Sequence, residues 1–333
     1  MRFIIKLLFL FTAAITISSL IRGFSRSVMA NAVDSDASYL VVGLDDAAEN
    51  ADVVLIITVR ESEGLFSFIQ IPRDTYCEFE SAGNKINQIH SSLKYSGATS
   101  DTALQVMKEY LEDSLGIHLD GYIALTMSAL SDTIDAIGGV RVTLPEDFDF
   151  YASDGALLYT LHKGENILDG RQSVNFIRYR QSYALGDLGR IDAQKIFLSG
   201  LYKTVTESFN YRDIIQVAKS LKGRLYTDFS IADTISFLIG RVADKSELSL
   251  YFLTMPGKAV KAGSGAWYYA LSRASAEDAV SKYALYKGEG FDQNRNFGSN
   301  EITEINDIYN EENVSYRVYK DNDVLEINIK RTK

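Results

Sequence analysis

The sequence predicts an α/β fold, a sandwich in which a central mixed sheet lies between layers of helices. Runs rich in β-branched and aromatic residues, such as "SYLVVGLD", "VVLIITV" and "GLFSFIQIPRD", are typical of buried strands. They are interleaved with segments of helical periodicity, and that alternation places helices on the faces of a sheet. At 333 residues the chain can bury a sizeable core.

The individual elements follow from local signals. The first strand ends at Asp45, and Pro72 marks the exit of the third. "TSDTALQVMKEYLEDSLG" predicts a helix that Ser100 or Asp101 caps and Gly116 ends. "MSALSDTIDAIGG" predicts a second helix, and a strand, "VRVTLP", follows it. We predict a further strand at "SVNFIRYR", and helices at "RIDAQKIFLSGLYKTV", "YRDIIQVAKSL" and "SIADTISFLIGRV".

The N-terminus predicts export of the rest of the chain. Residues 3–21 are apolar except for Lys6, which is about the length of a membrane-spanning helix. We therefore expect a membrane anchor at 1–21 and a linker at 22–36. The alternative is a cleaved signal peptide with Ala30-Asn31-Ala32 as its cleavage site, and it exports the domain equally. The main domain is predicted at 37–285, followed by a polar tail at 286–333 with a β-hairpin around residues 321–323.

Composition excludes several classes of function. The formal net charge of −10 argues against a nucleic-acid partner, because binding to phosphate backbones normally needs a broad basic surface. Cys77 is the single cysteine, so no intramolecular disulfide forms, and we expect a small structural residue there. The three histidines lack the paired spacing of a zinc site. Neither a phosphate-binding Walker loop nor a G-x-S-x-G elbow is present in the sequence.

A local concentration of arginine stands out in this acidic chain. In the predicted strand, Arg178 and Arg180 leave the same face, and Arg190 and Gln194 share one face of the following helix near its N-terminus. Arg73 closes another strand. Guanidinium groups in such positions form a fork-shaped cradle that suits a phosphate. The alternative is a set of structural salt bridges to Asp74, Asp187 and their neighbours.

Two carboxylates flank the loop between the first two strands. Asp45 and Asp52 stand at neighbouring strand ends, where they could hold Mg²⁺ together with substrate phosphates. Acidic loop residues that are simply solvated are the alternative.

The order of these segments closely resembles the LytR-CpsA-Psr family. The resemblance runs from about Ser38 to the 280s and includes "TMPG" at 254–257; its most specific parts are "IPRDT" and "RYR…GDLGRIDAQ". Members are membrane-anchored, extracytoplasmic phosphotransferases of mainly Gram-positive bacteria. They move wall glycopolymers, such as teichoic acids or capsule, from a polyprenyl-pyrophosphate carrier onto peptidoglycan. The family fold is an α-β-α sandwich with an apolar tunnel for the prenyl chain, and the helices at 127–137 and 191–205 would form its wall here.

The resemblance implies a role for each candidate residue. Mg²⁺ would be the cofactor, held by Asp45 and Asp52. Lys85 of "KIN" would be a cofactor-binding residue, and the catalytic set would comprise Arg73, Arg178, Arg180, Asp187, Arg190 and Gln194. The chain departs from many members at Asn50, where they have an arginine, and at Ala193-Gln194-Lys195, where they have "RQQ". A polyprenyl-pyrophosphate hydrolase and a non-catalytic binder of lipid-linked phosphoglycan are the alternative functions.

Overall fold

The protein is described as a computed structural model for residues 36–79, 84–152, 154–179, 187–208, 216–217, 219–229, 249–288, 297–299, 302–311 and 313–320. Its centre is a seven-stranded sheet. In spatial order the strands are β13 (Val318–Lys320), β10 (Ser249–Thr254), β3 (Leu65–Ile71), β2 (Ala51–Arg60), β1 (Ala37–Leu44), β4 (Gly121–Thr126) and β9 (Leu225–Thr227).

The sheet is mixed, as the sequence predicts. β1 pairs antiparallel with β2 and parallel with β4, while β10 pairs parallel with β3. The pairs β2–β3, β4–β9 and β10–β13 are antiparallel. Leu44 lies opposite Ala51 in the register of β1 and β2, so the loop of residues 45–50 leaves and re-enters the sheet at one edge.

Helices cover both faces of the sheet. They are α1 (Ile86–Tyr95), α2 (Ser100–Leu115), α3 (Met127–Ala136), α4 (Gly170–Arg178), α5 (Asp187–Ser208), α6 (Arg273–Tyr283) and α7 (Thr303–Glu311). The cap of α2 differs from the prediction, because Thr99, one residue earlier, accepts the hydrogen bond from the Thr102 N–H. Gly116 ends α2, as predicted, and it does so in the left-handed conformation.

Short elements complete the domain. A 3₁₀ turn, Glu61–Glu63, joins β2 to β3. The remaining strands form two-stranded sheets: β5 (Val140–Leu144) with β8 (Gly164–Leu168), β6 (Phe148–Tyr151) with β7 (Leu157–Leu161), and β11 (Gly257–Lys261) with β12 (Trp267–Leu271).

The strand predicted at "SVNFIRYR" is wrong, because α4 occupies residues 170–178. A capping box begins the helix: the Asp169 carboxylate accepts from the Gln172 N–H, and the Gln172 side chain accepts from the Asp169 N–H. Close packing also favours this arrangement, since a Cβ at Gly170 would overlap the backbone of Ser131 in α3. Arg178 therefore lies in the last turn of a helix and not at the end of a strand.

The two faces of the sheet bury separate cores. Leu40, Val42, Val54 and Ile56 lie in the core that includes α1, α2 and α6. Leu55, Ile57, Phe66 and Phe68 lie in the core that includes α3, α4 and α5. We call these the α2 face and the α5 face. Cys77 is fully buried in the α2 face, and burial raises the pKa of its thiol, in keeping with a structural role.

Several predicted segments lie wholly or largely outside the described residues. These are the anchor, nearly all of the linker, the helix at "SIADTISFLIGRV" and the hairpin around residues 321–323. Within the described part of "YRDIIQVAKSL", residues 216–217 and 219–221 are helical. Beyond the predicted boundary at residue 285, α7 packs on β11 and β12, and β13 joins the sheet. Across the residues that the structure describes, we find no helix with the length and apolarity needed to span a membrane.

Candidate active site

Two of the predicted arginines meet on one carboxylate. Asp52, at the start of β2, is only 7% exposed. Arg73, just after β3, pairs through Nη1 with Asp52 Oδ1, and Nη2 of Arg178 lies 3.3 Å from Asp52 Oδ2. The partner of Arg73 is therefore Asp52 and not its chain neighbour Asp74. One buried carboxylate fixes two guanidinium groups that arrive from a strand end and a helix end.

The two arginines keep hydrogen-bonding capacity beyond Asp52. The Arg178 side chain is 44% exposed, so part of its guanidinium faces solvent. Nε of Arg73 is buried and has no hydrogen-bond partner among the described residues. A buried donor without an acceptor costs about 1–3 kcal/mol, and rotation of the guanidinium toward a bound anion would remove that cost. The arrangement is suited to holding a phosphate oxygen beside Asp52.

Asp45 is held by its own loop. Its Oδ1 accepts from the Glu49 N–H at 2.8 Å, and its Oδ2 accepts from the N–H and side-chain amide of Asn50 at 3.2 and 2.8 Å. Partial burial raises the pKa of Asp45, but these hydrogen bonds and the positive charge of Arg178 outweigh it. The pKa is therefore lower than that of an ordinary aspartate, and the carboxylate is ionised at neutral pH.

An apolar cavity of about 130 Å³ adjoins this cluster on the α5 face. Its walls come from the sheet, from Met127 and Leu130 of α3, and from Phe197, Leu198 and Leu201 of α5. These helices are the ones predicted to form a tunnel wall. The lining also includes Val53 and Ile177, the chain neighbours of Asp52 and Arg178. An apolar chain in the cavity would thus have its polar end beside the two arginines.

Comparison with known proteins agrees with this geometry. The sequence profile of the LytR_cpsA_psr family matches residues 14–284. The chain belongs to the LytR-CpsA-Psr family.

Relatives and solved structures of the family support the assignment. The chain is 28% identical over 254 residues to the polyisoprenyl-teichoic acid–peptidoglycan teichoic acid transferase TagU of Bacillus anthracis, covering 74% of this chain and 77% of the relative. The crystal structure of B. subtilis TagV superimposes with a TM-score of 0.59 at 22% identity, over 76% of this chain and 98% of TagV. TagT bound to LIIa-WTA superimposes with a TM-score of 0.58 at 20% identity, over 79% and 96% of the two chains. These superpositions confirm the mixed α/β fold.

The predicted metal ligands of this LytR-CpsA-Psr protein are compatible with Mg²⁺. A carboxylate offers about four lone pairs. Asp45 Oδ2 accepts two hydrogen bonds, whereas Asp45 Oδ1 and each oxygen of Asp52 have one described partner. Counting the described residues alone, each of those three oxygens retains a lone pair for a cation. No group of three or more metal-binding side chains occurs among the described residues, so substrate oxygens and water would complete the ligand set.

Gln194 is placed to position other residues. It is 6% exposed; its Oε1 accepts from Gln70 Nε2 at 2.7 Å, and its Nε2 donates to the Ile177 carbonyl at 2.9 Å. It therefore ties the end of α4, and with it Arg178, to β3. The sequence did not point to Gln70, because nothing in a buried strand marks which polar residue pairs across the core.

The remaining predicted residues are placed differently. Lys85 pairs with Asp74 at 2.9 Å, and its ammonium lies 5.3 Å from the ring centre of Tyr268. Arg190, in α5, is buried at 3% exposure. Arg180 lies outside the described residues, as does the side chain of Asp187, whose backbone begins α5.

The two departures from the family pattern have visible consequences. Asn50 donates to Asp45, so a neutral amide stands beside this carboxylate where many members have an arginine. Lys195 is 4% exposed, pairs with Asp192 at 2.8 Å and lies 5.0 Å from the ring centre of Tyr319 in β13. Burial lowers the pKa of Lys195, although Asp192 opposes this shift. The cation–π contact of Lys195 with Tyr319 thus holds β13 against α5.

Proposed function

We propose that this protein is an extracytoplasmic phosphotransferase that moves a glycopolymer from a polyprenyl-pyrophosphate carrier onto peptidoglycan. The observation that carries the proposal is the pair Arg73 and Arg178, fixed on Asp52 beside the apolar cavity. Such a site matches a ligand with a prenyl tail and a pyrophosphate headgroup. Similarity to TagU of Bacillus anthracis, which is named as a teichoic acid transferase, supports a wall glycopolymer as the transferred group. We further propose that residues 3–21 anchor the chain in the cell membrane by a single helix.

The reaction is a phosphoryl transfer in which a sugar hydroxyl attacks the glycan-side phosphorus. A new P–O bond forms to peptidoglycan, the P–O bond to the prenyl phosphate breaks, and the hydroxyl proton leaves to a base or to water. Arg73 and Arg178 neutralise the negative charge that grows on the leaving prenyl phosphate. Gln194 keeps Arg178 in place through the end of α4. Asp45 and Asp52 would hold Mg²⁺, which when bound neutralises the charge of the pyrophosphate oxygens.

The role of the arginines is tested by Arg178→Ala in the full-length chain. The substrates are a labelled lipid-linked glycan and peptidoglycan, with Mg²⁺ present or removed by a chelator. We expect Arg178→Ala to lose about 2–4 kcal/mol of transition-state stabilisation, because a preorganised charged donor is removed. Transfer should slow accordingly. Bound lipid, measured by mass spectrometry, should largely remain, since each buried methylene contributes about 0.8 kcal/mol. Chelation should stop transfer.

The matched control is Arg141→Ala. Arg141 forms an exposed ion pair with Glu165, so its loss should leave transfer unchanged. Label released into water in place of peptidoglycan would identify a hydrolase. Wild-type protein that holds lipid yet transfers nothing would identify a non-catalytic binder, and full activity of Arg178→Ala would remove this arginine from the site.

A further inference from the structure

A second concave surface lies beside the loop of residues 45–50, which we call the Asp45 loop. This surface, the α1 groove, has a volume of about 460 Å³. It is formed by the outer side of α1 together with the loop between β1 and β2, and its lining includes Gln88, Ser91, Ser92, Lys94, Tyr95 and Glu49.

The chemistry of the α1 groove is that of a sugar-binding surface. Gln88, Ser91, Ser92 and Tyr95 are spaced i, i+3, i+4 and i+7 and therefore share one side of the helix. The hydroxyls of Ser91 and Ser92 donate to carbonyls of their own helix and present acceptor lone pairs. The amide of Gln88 and the ammonium of Lys94 add donors. Sugar hydroxyls, which both donate and accept, match such a mixture.

Two features of the groove have no function in the fold. The Tyr95 side chain is 95% exposed, although an aromatic ring is usually at least partly packed. Oε1 of Gln88 is buried and finds no hydrogen-bond donor among the described residues. A ligand that covers the ring would bury it, and rotation of the Gln88 side chain toward that ligand would give this oxygen a donor.

Three hydrogen bonds connect the groove to the active site. The Glu49 N–H donates to Asp45 Oδ1 at 2.8 Å, and the Glu49 carbonyl accepts from His90 Nδ1 at 2.7 Å. Lys94 Nζ donates to the Ala48 carbonyl at 3.0 Å. A ligand in the groove would therefore reach the loop that carries the proposed metal ligand Asp45.

The groove and the apolar cavity approach this loop from opposite faces of the sheet. α1 packs on the α2 face through Ile86 and Ile89, whereas the cavity lies on the α5 face. In phosphoryl transfer the attacking and leaving oxygens are roughly in line through the phosphorus. If the leaving prenyl phosphate departs toward the cavity, the attacking hydroxyl arrives from the side of α1.

We propose that the α1 groove binds the acceptor, a glycan strand of peptidoglycan, and that Tyr95 stacks on one of its sugar rings. The identity of this ligand as the acceptor rests on the proposed function. A lipid is disfavoured because every residue that lines the groove carries a polar group.

The test is Tyr95→Ala in the full-length chain, with peptide-free peptidoglycan strands as acceptor. We expect the KM for the strands to rise about tenfold through loss of aromatic stacking, with the KM for the lipid-linked donor unchanged. Gln88→Met keeps the helix and the side-chain length but removes the amide, and should raise the acceptor KM about threefold. Tyr151→Ala is the matched control, because Tyr151 is also exposed but lies in β6, outside the groove.

A binding measurement separates this inference from the proposed function. Glycan strands titrated into the protein without donor should bind wild type and bind Tyr95→Ala more weakly, with calorimetry as readout. Strands that bind wild type through Tyr95 in a protein that transfers nothing would refute the proposed function and keep the groove as a glycan site. Absence of binding to wild type, equal binding to both proteins, or an effect confined to the donor polymer would overturn the assignment.

Discussion

The two faces of the central sheet are built from the same strands but are packed differently. On β2, Ile56 is fully buried in the α2 face, whereas the adjacent Ile57 lines the cavity of the α5 face. On β1, Val42 and Val41 show the same contrast. Because successive side chains of a strand point to opposite faces, each pair compares a fully buried side chain with a neighbour that lines the cavity.

The difference identifies the α5 face as the one with less packing energy. A cavity costs about 24 cal/mol per Å³, so the 130 Å³ void on the α5 face represents roughly 3 kcal/mol of lost packing energy. That is a large fraction of the net stability of a domain. On the same strands, Ile56 and Val42 are fully buried in the α2 face. We attribute the void to binding, since a buried apolar chain would restore the missing contacts.

The largest expected effect comes from truncating the two isoleucines. Ile56→Ala should lower the free energy of unfolding by about 3–5 kcal/mol, because it opens a new cavity in a filled core. Ile57→Ala should cost only roughly 1–2 kcal/mol, because it enlarges an existing void and loses fewer contacts. Urea unfolding of the lipid-free protein measures both.

Addition of lipid should increase the contrast between the same two variants. Bound lipid should stabilise Ile56→Ala and wild type alike, whereas Ile57→Ala should gain less from it. Equal costs for the two truncations would mean that the α5 face is as well packed as the α2 face.

A smaller effect on stability, with a larger one on binding, is expected from filling the space. Val42→Phe should cost about 1–3 kcal/mol, because the filled core has no room for the ring. Val41→Phe should fold with wild-type stability, because its ring enters the cavity, but should lose copurified lipid and transfer. Lipid content by mass spectrometry and urea unfolding check the two variants, with Val41→Ala as the control that retains lipid. Full lipid content in Val41→Phe would show that this cavity is not the lipid site.

The sequence predicted the strands of the sheet more reliably than it predicted the surroundings of Arg178. β1, β2 and β3 are buried runs of β-branched and aromatic residues, and each forms where expected. At residues 170–178 the same apolar and β-branched character was misleading. The capping box of Asp169 and Gln172, visible in the sequence, and the contact of Gly170 with Ser131, which is not, together fix a helix.

The residues of the candidate site were likewise only partly predictable from the sequence. Asp45 and Asp52 were placed together from the sequence, because adjacent strand ends meet at one edge of a sheet. The pairing of Arg73 with Asp52 was not predicted. The contact between Gln70 and Gln194 joins residues 124 positions apart and depends on how α5 packs, so no local pattern predicts it. The polar stripe from Gln88 to Tyr95 was available in the sequence as a helical periodicity, but its position beside the Asp45 loop required the fold.

The smallest expected effect concerns Asp45, in the loop between β1 and β2, and is measured as the pH dependence of stability. Because the pKa of Asp45 is lowered in the folded protein, its carboxylate stabilises the fold above the ordinary aspartate pKa of about 3.9. This contribution is lost as the pH falls through the folded pKa. Asp45→Asn should therefore be less stable than wild type at pH 7, and the difference should shrink below about pH 4. Urea unfolding across this range measures the difference, and Asp307→Asn, which removes an exposed carboxylate of α7, should follow the wild-type curve. A difference for Asp45→Asn that stays constant down to about pH 3 would show that the hydrogen bonds from Glu49 and Asn50 do not depend on its charge.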